Sequence, residues 1–157
     1  MIQRVQSIFL ALAAIAIFAM IFSPMWGKAD AENTQLVVLN ASTLTHTKGA
    51  EVVETTNTIY LTILAFISAA VAIGSLFSYK NRMTQIKLNL LNSFLLLATV
   101  VLIALNLYSA QKVFDPTNPG AFKIGFFLPI VALFFNSLAN RFIRKDEKLV
   151  KSVDRLR

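Results

Sequence analysis

Asn92, Thr99 and Asn106 recur every seven residues in an otherwise apolar run, and Asn89 falls one turn before Asn92. At helical spacing these side chains share one face, and their chemistry is hydrogen bonding without charge. Two uses fit such a stripe: bonds to neighbouring helices, or a polar path for a neutral solute. Asn136 and Asn140, one turn apart later in the chain, are the expected partners. An amide facing hydrocarbon alone would cost on the order of several kcal/mol, whereas measured interhelical bonds average about 0.6 kcal/mol. An interhelical polar stripe of Asn89, Asn92, Thr99, Asn106, Asn136 and Asn140 is therefore expected.

Other chemistry is sparse. The chain has no cysteine, so disulfides, thiolate nucleophiles and thiolate metal sites are ruled out. His46 is the single histidine, set in the polar stretch "TLTHTKG" where an exposed turn is expected. The apolar runs carry no acid or histidine of the kind that proton- and ion-coupled carriers place in the membrane. No Gly-rich phosphate loop is present. The expectation is a non-enzymatic protein without a cofactor or a metal.

The last segment, "IRKDEKLVKSVDRLR", has a different character. From Arg141 onward it holds seven bases and three acids. Ile143, Leu149, Val150, Val153 and Leu156 come at helical spacing, and Glu147 stands four residues before Lys151 in the favourable order. A basic amphipathic C-terminal helix is predicted. Its candidate face, Arg144, Lys145, Lys148, Leu149, Lys151, Val153, Arg155 and Leu156, suits either anionic lipid headgroups or a docking partner.

The elements that must position these groups follow from composition. The 157 residues are 56% hydrophobic and 15% charged, and the mean hydropathy of +0.64 puts the chain in the membrane class. Four apolar stretches, at about 5–22, 59–79, 88–109 and 122–140, are long enough to cross a hydrocarbon core of about 30 Å. A cleaved signal peptide is the alternative for the first. That run is longer than a usual signal core, and Ala31 of the Ala29-x-Ala31 pattern lies well past its end, so an uncleaved helix is expected.

Eleven of the fifteen bases (Arg4, Lys80, Arg82, Lys87 and the seven from Arg141) fall on one side of such a four-span chain. The positive-inside rule makes that side cytoplasmic, together with both termini. A pI near 10.0 also marks nucleic-acid binders, but bases placed after span ends report topology, and no nucleic-acid partner is expected. Residues 23–58 form the long outside segment. There "TQLVVLNAS" and "AEVVETTNT" flank "TLTHTKG" and predict a small β-hairpin, with Trp26 at the outer membrane-water boundary. The predicted class is an all-α integral membrane protein, a four-transmembrane-helix bundle with an extracytoplasmic β-hairpin between helices 1 and 2.

The opening "MIQRVQ" and the ending, with Arg144-Lys145-Asp146-Glu147-Lys148-Leu149 and Asp154-Arg155-Leu156-Arg157, resemble a family of small four-span inner-membrane proteins of Bacteroidota, catalogued as a domain of unknown function. The resemblance implies a bacterial inner-membrane location and supplies no catalytic residues. Patterned ends on a chain without a catalytic set lead to one expected function: an accessory or scaffolding subunit of an inner-membrane complex, with anionic lipids and other membrane subunits as partners. A small transporter or channel for a neutral solute, using the Asn92 stripe, is the alternative.

Overall fold

The computed structural model describes residues 2–32, 34–79, 81–114 and 118–154, the first three and last four of these by backbone alone. Helices α1 (Ile2–Phe22), α2 (Ile59–Phe77), α3 (Arg82–Ala110) and α4 (Ile124–Asp154) form a ring, in which α1 packs on α2 and α4, and α3 packs on the same two. Strands β1 (Trp26–Ala29), β2 (Gln35–Leu39), β3 (Thr43–Lys48), β4 (Glu51–Asn57) and β5 (Ala121–Phe122) make an antiparallel sheet of order β4-β3-β2-β1-β5.

All four helices are long and apolar enough to cross a membrane. Small residues are well represented among those buried between the helices, and many large apolar ones face outward. On α1, Ala13 and Ala16 are buried while Ile8, Ile15 and Phe18 are exposed; on α2, Ala65, Ser68, Ala69 and Ala72 are buried while Ile63, Phe66 and Ile73 are exposed. Only 28% to 33% of each apolar window is buried, so most of its greasy surface faces outward. An apolar girdle of that extent is unlike the surface of a water-soluble monomer. Gly74 of α2 is not at a packing seam, since a Cβ added there meets nothing within 4 Å.

The all-α expectation is overturned by the sheet. Five strands replace the predicted hairpin, and "TLTHTK", read as a turn, is the strand β3 between β2 and β4. Its Thr43, Thr45 and Thr47 alternate with Leu44 and His46, a period-2 pattern hidden by polar composition. The actual turns are Asn40–Ser42 and the Lys48-Gly49-Ala50 reversal, where Gly49 takes a φ of 61°. β1 and β5 are four and two residues long, and they pair across a large sequence gap, Trp26 with Phe122 and Gly27 with Ala121. Strands that short leave no periodicity to read.

One core runs through both layers: Met20 and Ile17 of α1, Leu61 of α2, Leu107 of α3, and Trp26, Val37, Leu39 and Leu44 of the sheet belong to a single buried cluster. The sheet closes the ring at the end where α1 and α3 finish and α2 and α4 begin. Thr58 fixes one joint. Its N–H donates to Ser42 O at 2.9 Å and its hydroxyl to Asn40 O at 3.2 Å, which ties the start of α2 to the β2–β3 turn.

Trp26 is fully buried. Its indole N–H donates to Pro119 O at 3.2 Å, and Gly120 lies against its ring with φ 68°. Asn118 holds that turn by accepting from Gly120 N and donating to Ala29 O, both at 3.0 Å.

The predicted fourth span and separate C-terminal helix are one continuous helix. At 31 residues, α4 is about 46 Å long, well beyond the roughly 30 Å hydrocarbon core. It begins after Phe122 and Lys123, later than expected. α3 begins earlier than expected, at Arg82, because Asn81 caps it by accepting from Thr84 N at 3.2 Å.

Candidate functional site

The polar side chains of α3 fall into three groups. At the end remote from the sheet, Asn89 and Asn92 meet α2 and α4. Ser68 Oγ donates to Asn92 Oδ1 and Ser75 Oγ to Asn89 Oδ1, each at 2.7 Å. Asn92 Nδ2 donates to Asn136 Oδ1 at 3.2 Å, while Asn136 Nδ2 donates to Asn89 O at 2.8 Å and Ser93 Oγ at 2.9 Å. Gln85 adds a bond from Nε2 to Ser75 O at 3.1 Å. Every one of these side chains but Ser93 is buried, so the bonds act in a low dielectric where an orphaned group is costly.

The rest of the stripe behaves differently. Thr99 is buried but donates to Leu95 O of its own helix at 2.8 Å. Asn106, toward the sheet, accepts from Tyr60 OH at 2.6 Å and donates to Leu102 O at 2.7 Å. Asn140 joins neither group, and its Oδ1 is buried without a partner among the described residues. Ser68 and Ser75 were not expected. Their seven-residue spacing on α2 mirrors the stripe on α3, but serine among alanines reads as close packing and conceals the hydrogen bonding.

Beyond Asn140 the outer face of α4 is basic. Arg141, Arg144, Lys145 and Lys148 are exposed and, with Ser93 and Ser137, line a cavity of about 500 Å³ that Asn140 also borders. A second cavity of about 370 Å³ lies between Met83 and Ile86 of α3 and Arg144, Glu147 and Lys148 of α4. Asp146 turns the other way, to Arg82 at 3.0 Å, and so clamps the two helices where they leave the ring. Of the predicted apolar stripe, Ile143 is buried in the ring, whereas Leu149 and Val150 are 49% and 42% exposed. The Lys151 and Val153 backbone continues the helix; Arg155 and Leu156 lie outside the described residues.

At the opposite end the sheet contains an unexpected buried cation. Lys28 on β1 is 1% exposed, and its Nζ donates to the carbonyls of Gln111, at 3.1 Å, and Phe114 while lying 4.8 Å from the Phe114 ring centroid. Cation–π attraction and two carbonyl dipoles thus hold the strand to the end of α3. His46 is not an exposed turn residue. It stands on β3, with Nε2 3.2 Å from Gln35 Oε1 and its ring stacked on Phe114 at 5.9 Å. The partners of Lys28 lie more than 80 residues further along the chain, so no local pattern marks this role. Among the described residues, no group of three or more acids or histidines is placed to hold a metal ion.

β4 is the edge strand, and every residue of it is exposed. A β-bulge shifts its register between His46 and Thr47, which pair with Glu54 and Val52 and leave Val53 as the extra residue. Val52 and Val53 are 62% and 58% exposed.

These features define a class of protein: a ring of four span-length helices, pinned inside by uncharged hydrogen bonds, with a small sheet closing one end and a long basic helix leaving the other. The chain belongs to the family described as Domain of unknown function (DUF4293), whose model matches residues 2–156. Comparison with curated proteins gives no match.

Proposed function

We propose that this protein is a non-enzymatic accessory or scaffolding subunit of a complex in a bacterial inner membrane, of the Bacteroidota kind that the sequence resembles. In this reading the chain crosses the membrane four times with both termini cytoplasmic. The sheet stands outside, α4 projects inside, and each presents a surface to other membrane subunits of an assembly for protein export or envelope biogenesis.

The observation that carries the reading is the β4 edge. Its seven residues are exposed and β-branched in the middle, and no described strand pairs with its outer side. Such an edge accepts an added strand through backbone hydrogen bonds, while Glu51, Glu54 and the bulge restrain indiscriminate pairing. The continuous α4 adds support, because it carries basic residues and exposed Leu149 and Val150 beyond the ring on a rigid element.

The alternative, passage of a neutral solute along the α3 stripe, receives less support. Asn92 and Asn136 bond to each other and to serines in a buried setting, Asn89 Oδ1 accepts from Ser75 while its Nδ2 is buried without a partner among the described residues, and Thr99 bonds to its own backbone.

The test is site-specific photo-crosslinking in living cells from Val52 and from Leu149, at native expression. Reproducible adducts with other membrane proteins from either position are expected. Adducts with lipid or with the chain itself alone would contradict the scaffold role.

A further inference from the structure

We infer that the cavity between Ser93 of α3 and the basic face of α4 binds the phosphate of an anionic phospholipid. The inference rests on the membrane-embedded part of the proposed function and not on the scaffold role.

Charge is the first ground. Arg141, Arg144, Lys145 and Lys148 line the cavity and no acid does. The nearby carboxylates are directed elsewhere: Asp146 to Arg82 at 3.0 Å, and Glu147 to the neighbouring cavity. None of the four bases has a carboxylate partner among the described residues. Two arginines and two lysines facing one opening match a phosphate, with the guanidinium groups suited to paired contacts to its oxygens.

Hydrogen-bonding capacity is the second ground. Ser137 Oγ and Ser93 Oγ line the cavity and donate to the carbonyls of Leu133 and Asn89, at 2.8 and 3.0 Å; the exposed Ser137 Oγ keeps its acceptor capacity, while Ser93 Oγ also accepts from Asn136 Nδ2 at 2.9 Å. Asn140 also borders this space, although its Oδ1 is buried beneath the surface. A headgroup that carries hydroxyls beside its phosphate can donate to Ser137 Oγ.

The third ground separates a lipid from a free anion. Phe134 stands one turn before Ser137 and Leu97 one turn after Ser93, both on the way toward the membrane centre, and they are 61% and 51% exposed. By helical spacing the order from the cavity toward the middle of α3 and α4 is bases, then hydroxyls, then exposed apolar side chains. That is the order of phosphate, glycerol and acyl chain in a phospholipid, and inorganic phosphate has no use for its apolar end. Bases near a membrane surface attract anionic lipid, and four converging on one cavity localise it.

The test is native mass spectrometry of the full chain released from nanodiscs of equal phosphatidylglycerol and phosphatidylcholine with identical acyl chains. Wild type should retain one phosphatidylglycerol in preference to phosphatidylcholine. The Arg141→Gln/Arg144→Gln variant should lose that retention on the order of tenfold, and Lys48→Gln/Lys87→Gln, with the same change in charge, should keep it. Equal retention of both lipids by wild type overturns the site without recourse to any variant, as does undiminished retention by Arg141→Gln/Arg144→Gln. Displacement of the lipid by excess inorganic phosphate would make this a free-anion site and overturn the lipid assignment. A chain that stays out of the nanodiscs overturns the membrane reading and the site with it, whereas one that inserts without preference overturns the site alone.

Discussion

Asn92 Nδ2 donates to Asn136 Oδ1 across 3.2 Å, and this bond joins α3 to α4 while Ser68 joins the same asparagine to α2. Replacing Asn136 by leucine strands a buried amide on Asn92 and removes one of the donors to the Asn89 carbonyl, which keeps Ser93 Oγ. A loss of about 1–3 kcal/mol is expected, the usual cost of orphaning a buried polar group. Asn106→Leu should cost less, because Asn106 is only half-buried and its loss releases Tyr60 near the sheet end. Thermal unfolding in detergent, followed by circular dichroism, measures the difference. Equal melting shifts for the two variants would contradict the ranking.

Two glycines on helices should respond in opposite directions. At Gly125 an added Cβ would lie 2.6 Å from Ser23 O and 2.7 Å from Pro24 O, both backbone atoms, and Gly125 N already donates to Pro24 O at 3.0 Å. Gly125→Ala must push α4 away from the end of α1, at a cost of about 1–3 kcal/mol or more. Gly74→Ala meets open space and should leave stability unchanged or raise it by up to about 1 kcal/mol. The same melting experiment decides both.

Trp26 is the chain's single tryptophan, so its fluorescence reports one site. Full burial beneath Pro119 and Gly120 predicts blue-shifted emission that resists both acrylamide and brominated lipids. Strong quenching by lipids brominated near the headgroup would return it to the membrane boundary. Gly120→Ala, which forces a Cβ within 2.5 Å of the indole at a φ of 68°, should red-shift the emission.

How much of this was legible in sequence depended on the range of the signal. The helices were, because each is a long apolar run. The seven-residue recurrence of Asn92, Thr99 and Asn106 marked a shared face, although it concealed that Thr99 bonds at home and Asn140 stands apart. The sheet was under-read for physical reasons. β5 is two residues that pair with β1 across most of the chain, and β3 is polar because part of its surface is covered by Phe114 and Gln35 rather than by a greasy core. The burial of Trp26 and Lys28 was not legible because their cover comes from the distant segments around Phe114 and Pro119. The basic tail was visible as an amphipathic helix. That it continues α4 without a break was not, since the change from apolar to charged residues at Arg141 resembles an end.

The proposed function requires a chain that crosses the membrane four times with the sheet on one side and the end of α4 on the other. Because the protein has no cysteine, single substitutions need no background correction, and Val52→Cys and Leu149→Cys report the two ends directly. Intact spheroplasts treated with a membrane-impermeant maleimide should label Val52→Cys fully and Leu149→Cys only after the membrane is opened. Labelling of both positions in intact spheroplasts, or recovery of the chain in the soluble fraction, would contradict the account.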